Sequence, residues 1–123
     1  WIKRMANGEF DLMITFMGQY GDPDLGVARS YISSNIKKGV PFNNTSGYFN
    51  PKVDELFDKG AVEMDPKKRA ALYSELQQVM VDDIPVVWFL EYELPHFINK
   101  KFKNVIVDVH GNKGDFEDAQ LAE

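Results

Sequence analysis

Between Asn50 and Asp83 the apolar positions keep a helical period. Val53, Leu56, Phe57, Ala61 and Met64 recur at spacings of three and four, and Leu72, Tyr73, Leu76, Val79 and Met80 resume the pattern after a break at Asp65-Pro66. Each stripe is preceded by the same start device. Asn50-Pro51 and Asp65-Pro66 put a side-chain acceptor at the N-cap and a proline in the first turn, where its missing amide costs nothing. The spacing predicts two helices, Pro51 to Met64 and Pro66 to Asp82, packed through these stripes. Near the start, Trp1 to Asn7 reads as the last turns of a helix stopped by Gly8, so that more polypeptide is expected upstream.

Elsewhere the pattern is that of strands and loops. Phe10 to Met17 is almost continuously apolar and bounded by Gly8 and Gly18, which predicts a buried strand followed by a compact turn at Gly21-Asp22-Pro23-Asp24. Leu25 to Ser33 reads as a short helix, and Asn35 to Asn50, rich in Gly, Asn, Ser and Thr, as a long loop. Ile84 to Leu90 is strongly β-prone, and Pro95 to Asn99 and Val105 to Val109 are shorter strand candidates. From Gly111 the chain is polar and acidic, as in a surface tail. The order of elements is mixed α/β.

Composition narrows the function. With 44% hydrophobic and 27% charged residues in a chain of 123, one modest core is expected. Fourteen Lys and Arg against nineteen Asp and Glu leave a net charge of -5, so there is no general positive field for nucleic acid. The basic runs Lys67-Lys68-Arg69 and Lys100-Lys101-Phe102-Lys103 are read as solvated surface. No apolar run is long enough for a membrane span, and the absence of cysteine removes disulfides and thiolate chemistry.

No reaction can be assembled from the polar residues. His96 and His110 lack the helical spacing of metal ligands, so no metal site or cofactor is expected. Asp22 and Asp24 bracket a turn proline and Asp82-Asp83 ends a helix, settings that do not separate two carboxyl pKa values for acid and base roles. None of Ser30, Ser33, Ser34, Ser46 and Ser74 lies in a Gly-x-Ser-x-Gly elbow. The expectation is a protein that is not an enzyme and has no catalytic residues.

The order of motifs resembles a known family. Gly8-Glu9-Phe10-Asp11-Leu12, the apolar run after it, Gly21-Asp22-Pro23-Asp24 and Gly47-Tyr48-Phe49-Asn50-Pro51-Lys52-Val53-Asp54-Glu55-Leu56-Phe57 follow one another as in the C-terminal third of the family 5 extracellular solute-binding proteins. Arg69-Ala70-Ala71-Leu72-Tyr73 and Asp82-Asp83-Ile84-Pro85-Val86-Val87 resemble that family's next helix and the strand behind it. The resemblance implies the C-terminal part of a two-lobe, type II periplasmic-binding-protein-like clamshell of α/β class. Residues 1–100 would belong to lobe two, and 101–123 would form a return segment towards lobe one and a tail.

The same resemblance implies a monomeric, periplasmic or otherwise extracytoplasmic component of an ABC importer. It would capture a peptide-like or other small polar solute and deliver it to permease subunits, meeting the membrane only through the permease or a lipid anchor. The loop after the apolar run would face the cleft, with Phe16, Gln19 and Tyr20 as ligand-binding residues. Phe16 supplies an aromatic face. Gln19 stands where peptide-binding members carry an aspartate, so a neutral hydrogen bond replaces a charge-assisted one to the solute's ammonium group. The alternative is a stand-alone acidic module whose long loop binds a protein partner.

Overall fold

The computed structural model describes residues 1–16, 21–88, 90–91, 93, 95–107 and 114–122. Its helices are α1 (Ile2–Asn7), α2 (Pro51–Val62) and α3 (Pro66–Asp83), and its two short strands are β1 (Phe102–Lys103) and β2 (Gln120–Leu121). The chain divides into two units, Trp1–Val87 and Trp88–Glu123.

Capping chemistry sets the helix starts. Asn50 accepts from the Lys52 amide at 2.9 Å, and one oxygen of Asp65 accepts from the amides of Lys67 and Lys68 at 2.8 and 3.0 Å, so each helix begins with donors satisfied and proline at its first position. α1 stops as expected at Gly8, whose φ of 70° is left-handed. The Gly8 and Glu9 amides there cover the carbonyls of Met5 and Arg4.

The core of the first unit forms where α2 meets α3. Val53, Leu56 and Phe57 are buried against Leu76 and Met80, with Leu72, Tyr73 and Val79 half-buried beside them. The stripe on α2 departs from expectation at its far end. The helix ends at Val62, Ala61 is exposed and Met64 is almost fully so, while Gly60 takes the buried position. A Cβ on Gly60 would come within 2.7 Å of the Tyr73 ring, so the close crossing of the helices requires glycine there.

Two helices cannot cover their own apolar faces, and the loop before α2 closes this core with Ala28, Tyr31 and, in part, Tyr48. In place of the expected helix from Leu25 to Ser33, the chain makes two 3-10 turns, Ala28–Ser30 and Ser33–Asn35. The loop's organiser is Asn44, which is 2% exposed. Its Nδ2 donates to the carbonyls of Tyr31, Ile32 and Tyr48 at 3.1, 3.2 and 2.7 Å. Its Oδ1 accepts from the Tyr48 amide and the Ser46 hydroxyl at 3.1 and 3.2 Å. Asp54 of α2 holds the same loop by accepting from the amide of Ser33 at 2.8 Å and from its hydroxyl.

The strand expectations are corrected. Residues 9–16 form no strand, and Leu12, Ile14 and Phe16 are exposed. Ile84 ends α3 as a left-handed C-cap, and the described residues of Ile84 to Leu90, of Pro95 to Asn99 and of Val105 to Val109 lie in no ladder. A strand needs a neighbour for its amides and carbonyls, however β-prone its side chains, and no described segment supplies one here. Among the described residues the one ladder is β1 with β2, antiparallel, pairing Phe102 with Leu121 and Lys103 with Gln120. Part of the expected acidic tail is thus a strand. Met17, Phe89, Asp108 and Val109 lie outside the described residues.

Leu76→Ala, at a position 3% exposed, is expected to cost about 2 to 5 kcal/mol in denaturant melts with the slope unchanged. A loss below about 1 kcal/mol would place Leu76 outside the core. Ile84 is β-branched at φ 48° and 62% exposed, so Ile84→Gly should stabilise by about 1 kcal/mol as left-handed strain is removed with little apolar burial lost. A lower melting temperature would show that its side chain contributes more than its backbone strain costs.

Candidate functional site

The three residues expected to face a ligand lie on the chain between α1 and the Asp22 turn. Phe16 is 57% exposed, on a segment without regular structure. Gln19 and Tyr20 lie outside the described residues. What the structure describes in detail is how the loop immediately after them is held.

That loop opens as the expected Asp-Pro turn. The Leu25 amide donates to the Asp22 carbonyl at 3.0 Å, and the Asp24 amide donates to the Asp22 carboxylate at 2.9 Å. The carboxylate also faces Arg69, which donates from Nη1 to one oxygen at 2.7 Å and from Nη2 to the other at 3.0 Å. Arg69 further donates from Nε to the Gly60 carbonyl at 2.8 Å and from Nη2 to the Tyr73 hydroxyl at 3.2 Å, with its guanidinium carbon 5.0 Å from the Tyr73 ring centroid. Tyr73 in turn meets Phe57 edge to face at 6.5 Å between centroids. One planar cation therefore joins the turn, the end of α2, the first turns of α3 and the aromatic edge of the core.

The electrostatics follow the geometry. Hydrogen bonds from Arg69, with the Asp24 amide adding to them, hold the Asp22 carboxyl below the usual carboxylate range. The same pairing raises the Arg69 pKa, so both groups stay charged. Burial pushes the Tyr73 hydroxyl up. At the other end of α3, burial and the Asp83 carboxylate push Tyr48 up to about 12, while Asp83 is lowered by donors from Tyr48 and Asn50.

Arg69 corrects the reading of Lys67-Lys68-Arg69 as solvated surface, because its side chain is 29% exposed and fully engaged. Its signal in the sequence was position: it lies one turn before Tyr73, at the edge of the α3 stripe, where a planar cation can stack on the ring and still reach outward. Asp22 had no such signal, because its partner lies 47 residues away. Among the described residues no group of His, Asp and Glu could hold a metal ion, and no helix is long and apolar enough to cross a membrane. His110 lies outside the described residues.

The chain matches no family model and no solved structure. It is similar to Protein XP55 of Streptomyces lividans, at 42% identity over 73 residues, or 59% of this chain and 13% of that protein. It is 27% identical over 104 residues to the probable D,D-dipeptide-binding periplasmic protein DdpA of Escherichia coli, covering 84% of this chain and 20% of that one. The dipeptide-binding protein of Escherichia coli is 27% identical over 122 residues, covering 98% of this chain and 22% of that one. The chain therefore spans about a fifth or less of the length of these relatives. The relatives whose names state a role are binding proteins rather than enzymes. Relatives named for dipeptide or di/tripeptide binding thus align with 64 to 98% of this chain, at 27 to 31% identity.

The Asp22 pairing carries a pH signature. A carboxyl held low in the folded state contributes stability that is present above its unfolded value, near 3.8, and lost as pH falls through its lowered folded value. Asp22→Asn should therefore be less stable near neutrality and show a shallower loss of stability below about pH 4. Superimposable acid melts for the two proteins would mean that the ion pair adds nothing to folding.

Proposed function

We propose that this chain is part of the solute-binding component of an ABC importer, acting outside the cytoplasmic membrane, where it captures a small polar, peptide-like solute and presents it to permease subunits. One observation carries the reading: relatives named for dipeptide or di/tripeptide binding align with up to 98% of the chain. In this reading the parent is a two-lobe clamshell. Residues 1–100 belong to its second lobe, and 101–123 run back towards the first. Closure follows from tighter solute binding by the closed state than by the open one. The parent captures its solute and leaves it chemically unchanged.

The ligand-facing residues in this reading are Phe16, Gln19 and Tyr20. Phe16 offers an exposed ring to a peptide plane or an apolar side chain. Gln19 offers both a donor and an acceptor, and its neutral amide gives an ordinary hydrogen bond where a carboxylate would give a charge-assisted one worth about 1.5 to 3 kcal/mol. The loop therefore places no strong demand for a free ammonium group on the solute.

Calorimetry on the full-length parent tests both parts of this reading, with Ala-Ala, N-acetyl-Ala-Ala and a panel of simple sugars as probes. The expected result is one bound solute per protein, recovered unchanged, with the two peptides binding within a few-fold of each other. Tight binding of Ala-Ala that disappears on acetylation would overturn the role given to Gln19 and point to a carboxylate elsewhere in the parent. Turnover of the bound solute, or failure of every probe to bind, would overturn the functional reading itself.

A further inference from the structure

We propose that α1 and the segment 36–42 beside it form a surface that rests on a bilayer of anionic lipid. The two pieces are joined side by side. The Gly39 amide donates to the Ala6 carbonyl, at the end of α1, at 2.8 Å, and the Phe42 ring lies next to that of Trp1 with 6.0 Å between centroids. This junction gathers charge of one sign. Residues 1–8 and 36–42 contain Lys3, Arg4, Lys37 and Lys38 but no Asp or Glu, in a chain whose net charge is -5. All four cations are exposed, and among the described residues none of them pairs with a carboxylate.

Apolar groups are interleaved with these cations. Trp1, Ile2, Val40 and Phe42 are exposed in the same two pieces. Phe42 also holds its place at a conformational cost, since its φ of 59° is left-handed, a region that bulky residues seldom enter. Strain kept at an exposed ring, which adds little to the core, points to a role outside folding. The composition then selects the partner. Lys is depleted from protein interfaces, whereas Lys and Arg interleaved with Trp and Phe suit a lipid headgroup layer, where ammonium and guanidinium groups meet phosphates and the rings enter the boundary. A shallow hold of this kind would confine the protein's search for a permease to the plane of the membrane. That use rests on the functional reading above; the surface itself does not.

The experiment uses the full-length parent, produced without covalent lipid, and vesicles of phosphatidylcholine alone or mixed with phosphatidylglycerol. Co-sedimentation reads binding and the melting temperature reads folding. The mixed vesicles should bind the parent, and raising salt to about 0.5 M should weaken that binding about tenfold or more, while phosphatidylcholine alone binds little. Lys37→Glu combined with Lys38→Glu should weaken binding to the mixed vesicles about tenfold or more at an unchanged melting temperature. Lys67→Glu combined with Lys68→Glu makes the same change in net charge at exposed positions of α3, and should leave binding within about threefold of the parent's. Phe42→Gly removes the ring and its strain together, so binding should fall about threefold while the melting temperature stays within about 3 °C of the parent's.

Equal binding to the two kinds of vesicle, no binding to either, insensitivity to salt, or patch variants that bind as the parent does would each overturn the proposal. A parent that ignores lipid but binds phosphatidylcholine vesicles holding the permease, and loses that binding with the Lys37 and Lys38 substitutions, would also overturn it and assign the surface to a protein partner. Solute binding by calorimetry is a separate measurement, so each of these failures leaves the functional reading standing.

Discussion

The first unit depends on one buried amide. α2 and α3 bury one another along a single seam, and the remaining apolar surface of that seam is closed mainly by the loop before α2, so loop carbonyls must enter the edge of the core. Asn44 removes that difficulty. Its amide meets three carbonyls with two hydrogens, so one hydrogen is shared, and its oxygen takes an amide and a hydroxyl from the same loop. Tyr31 reaches the core because the carbonyls beside it have found this partner. An apolar residue of similar size would fill the space and leave those carbonyls orphaned, at about 1 to 3 kcal/mol each.

A second set of contacts joins the loop to the helix ends, and it runs against the simplest electrostatic expectation. Asp83 sits at the C-terminus of α3, where the helix dipole disfavours a negative charge. It is nonetheless lowered in pKa, because Tyr48 and Asn50 both donate to it. Asn50 is also the N-cap of α2, so one side chain completes the start of one helix with its oxygen and the end of the next with its nitrogen. Specific donors at hydrogen-bond distance outweigh a dipole effect of a few tenths of a kcal/mol to about 1 kcal/mol. The ion pair between Lys52 and Glu75, by contrast, lies in the open and adds little.

What was legible in the sequence was what depends on near neighbours. The caps at Asn50 and Asp65, the prolines after them and the stop at Gly8 act within four residues, and all three helices lie where those signals put them. Val53, Leu56, Phe57, Leu76 and Met80 were readable as core because a helix converts spacing into a face. The α2 stripe was overextended to Ala61 and Met64, since apolar periodicity does not reveal that a small residue, Gly60, lies at the crossing. Strand pairing was not readable, because β-prone side chains state a preference while the partner lies elsewhere in the chain. Asn44 and the pairing of Asp22 with Arg69 were missed for the same reason: polar residues in a loop look solvated until the groups they satisfy are known. Of the candidate site, Phe16 is described as exposed, whereas Asp22 and Arg69 became visible only in three dimensions.

The pairing of Asp22 with Arg69 shows why a polar contact, rather than more apolar burial, suits this place in the fold. Exposed ion pairs contribute little on average, because holding two long side chains in one geometry costs entropy that a modest Coulomb gain barely offsets. Arg69 has largely met that cost already, through Tyr73 and the Gly60 carbonyl, so docking Asp22 freezes mainly the short aspartate. The result is a fixed direction for the turn at a stability cost close to zero, whereas an apolar anchor of equal hold would need a wider covered surface and would tolerate sliding. Stability in this unit is supplied by the helix seam and by Asn44, and orientation of the loop by the guanidinium.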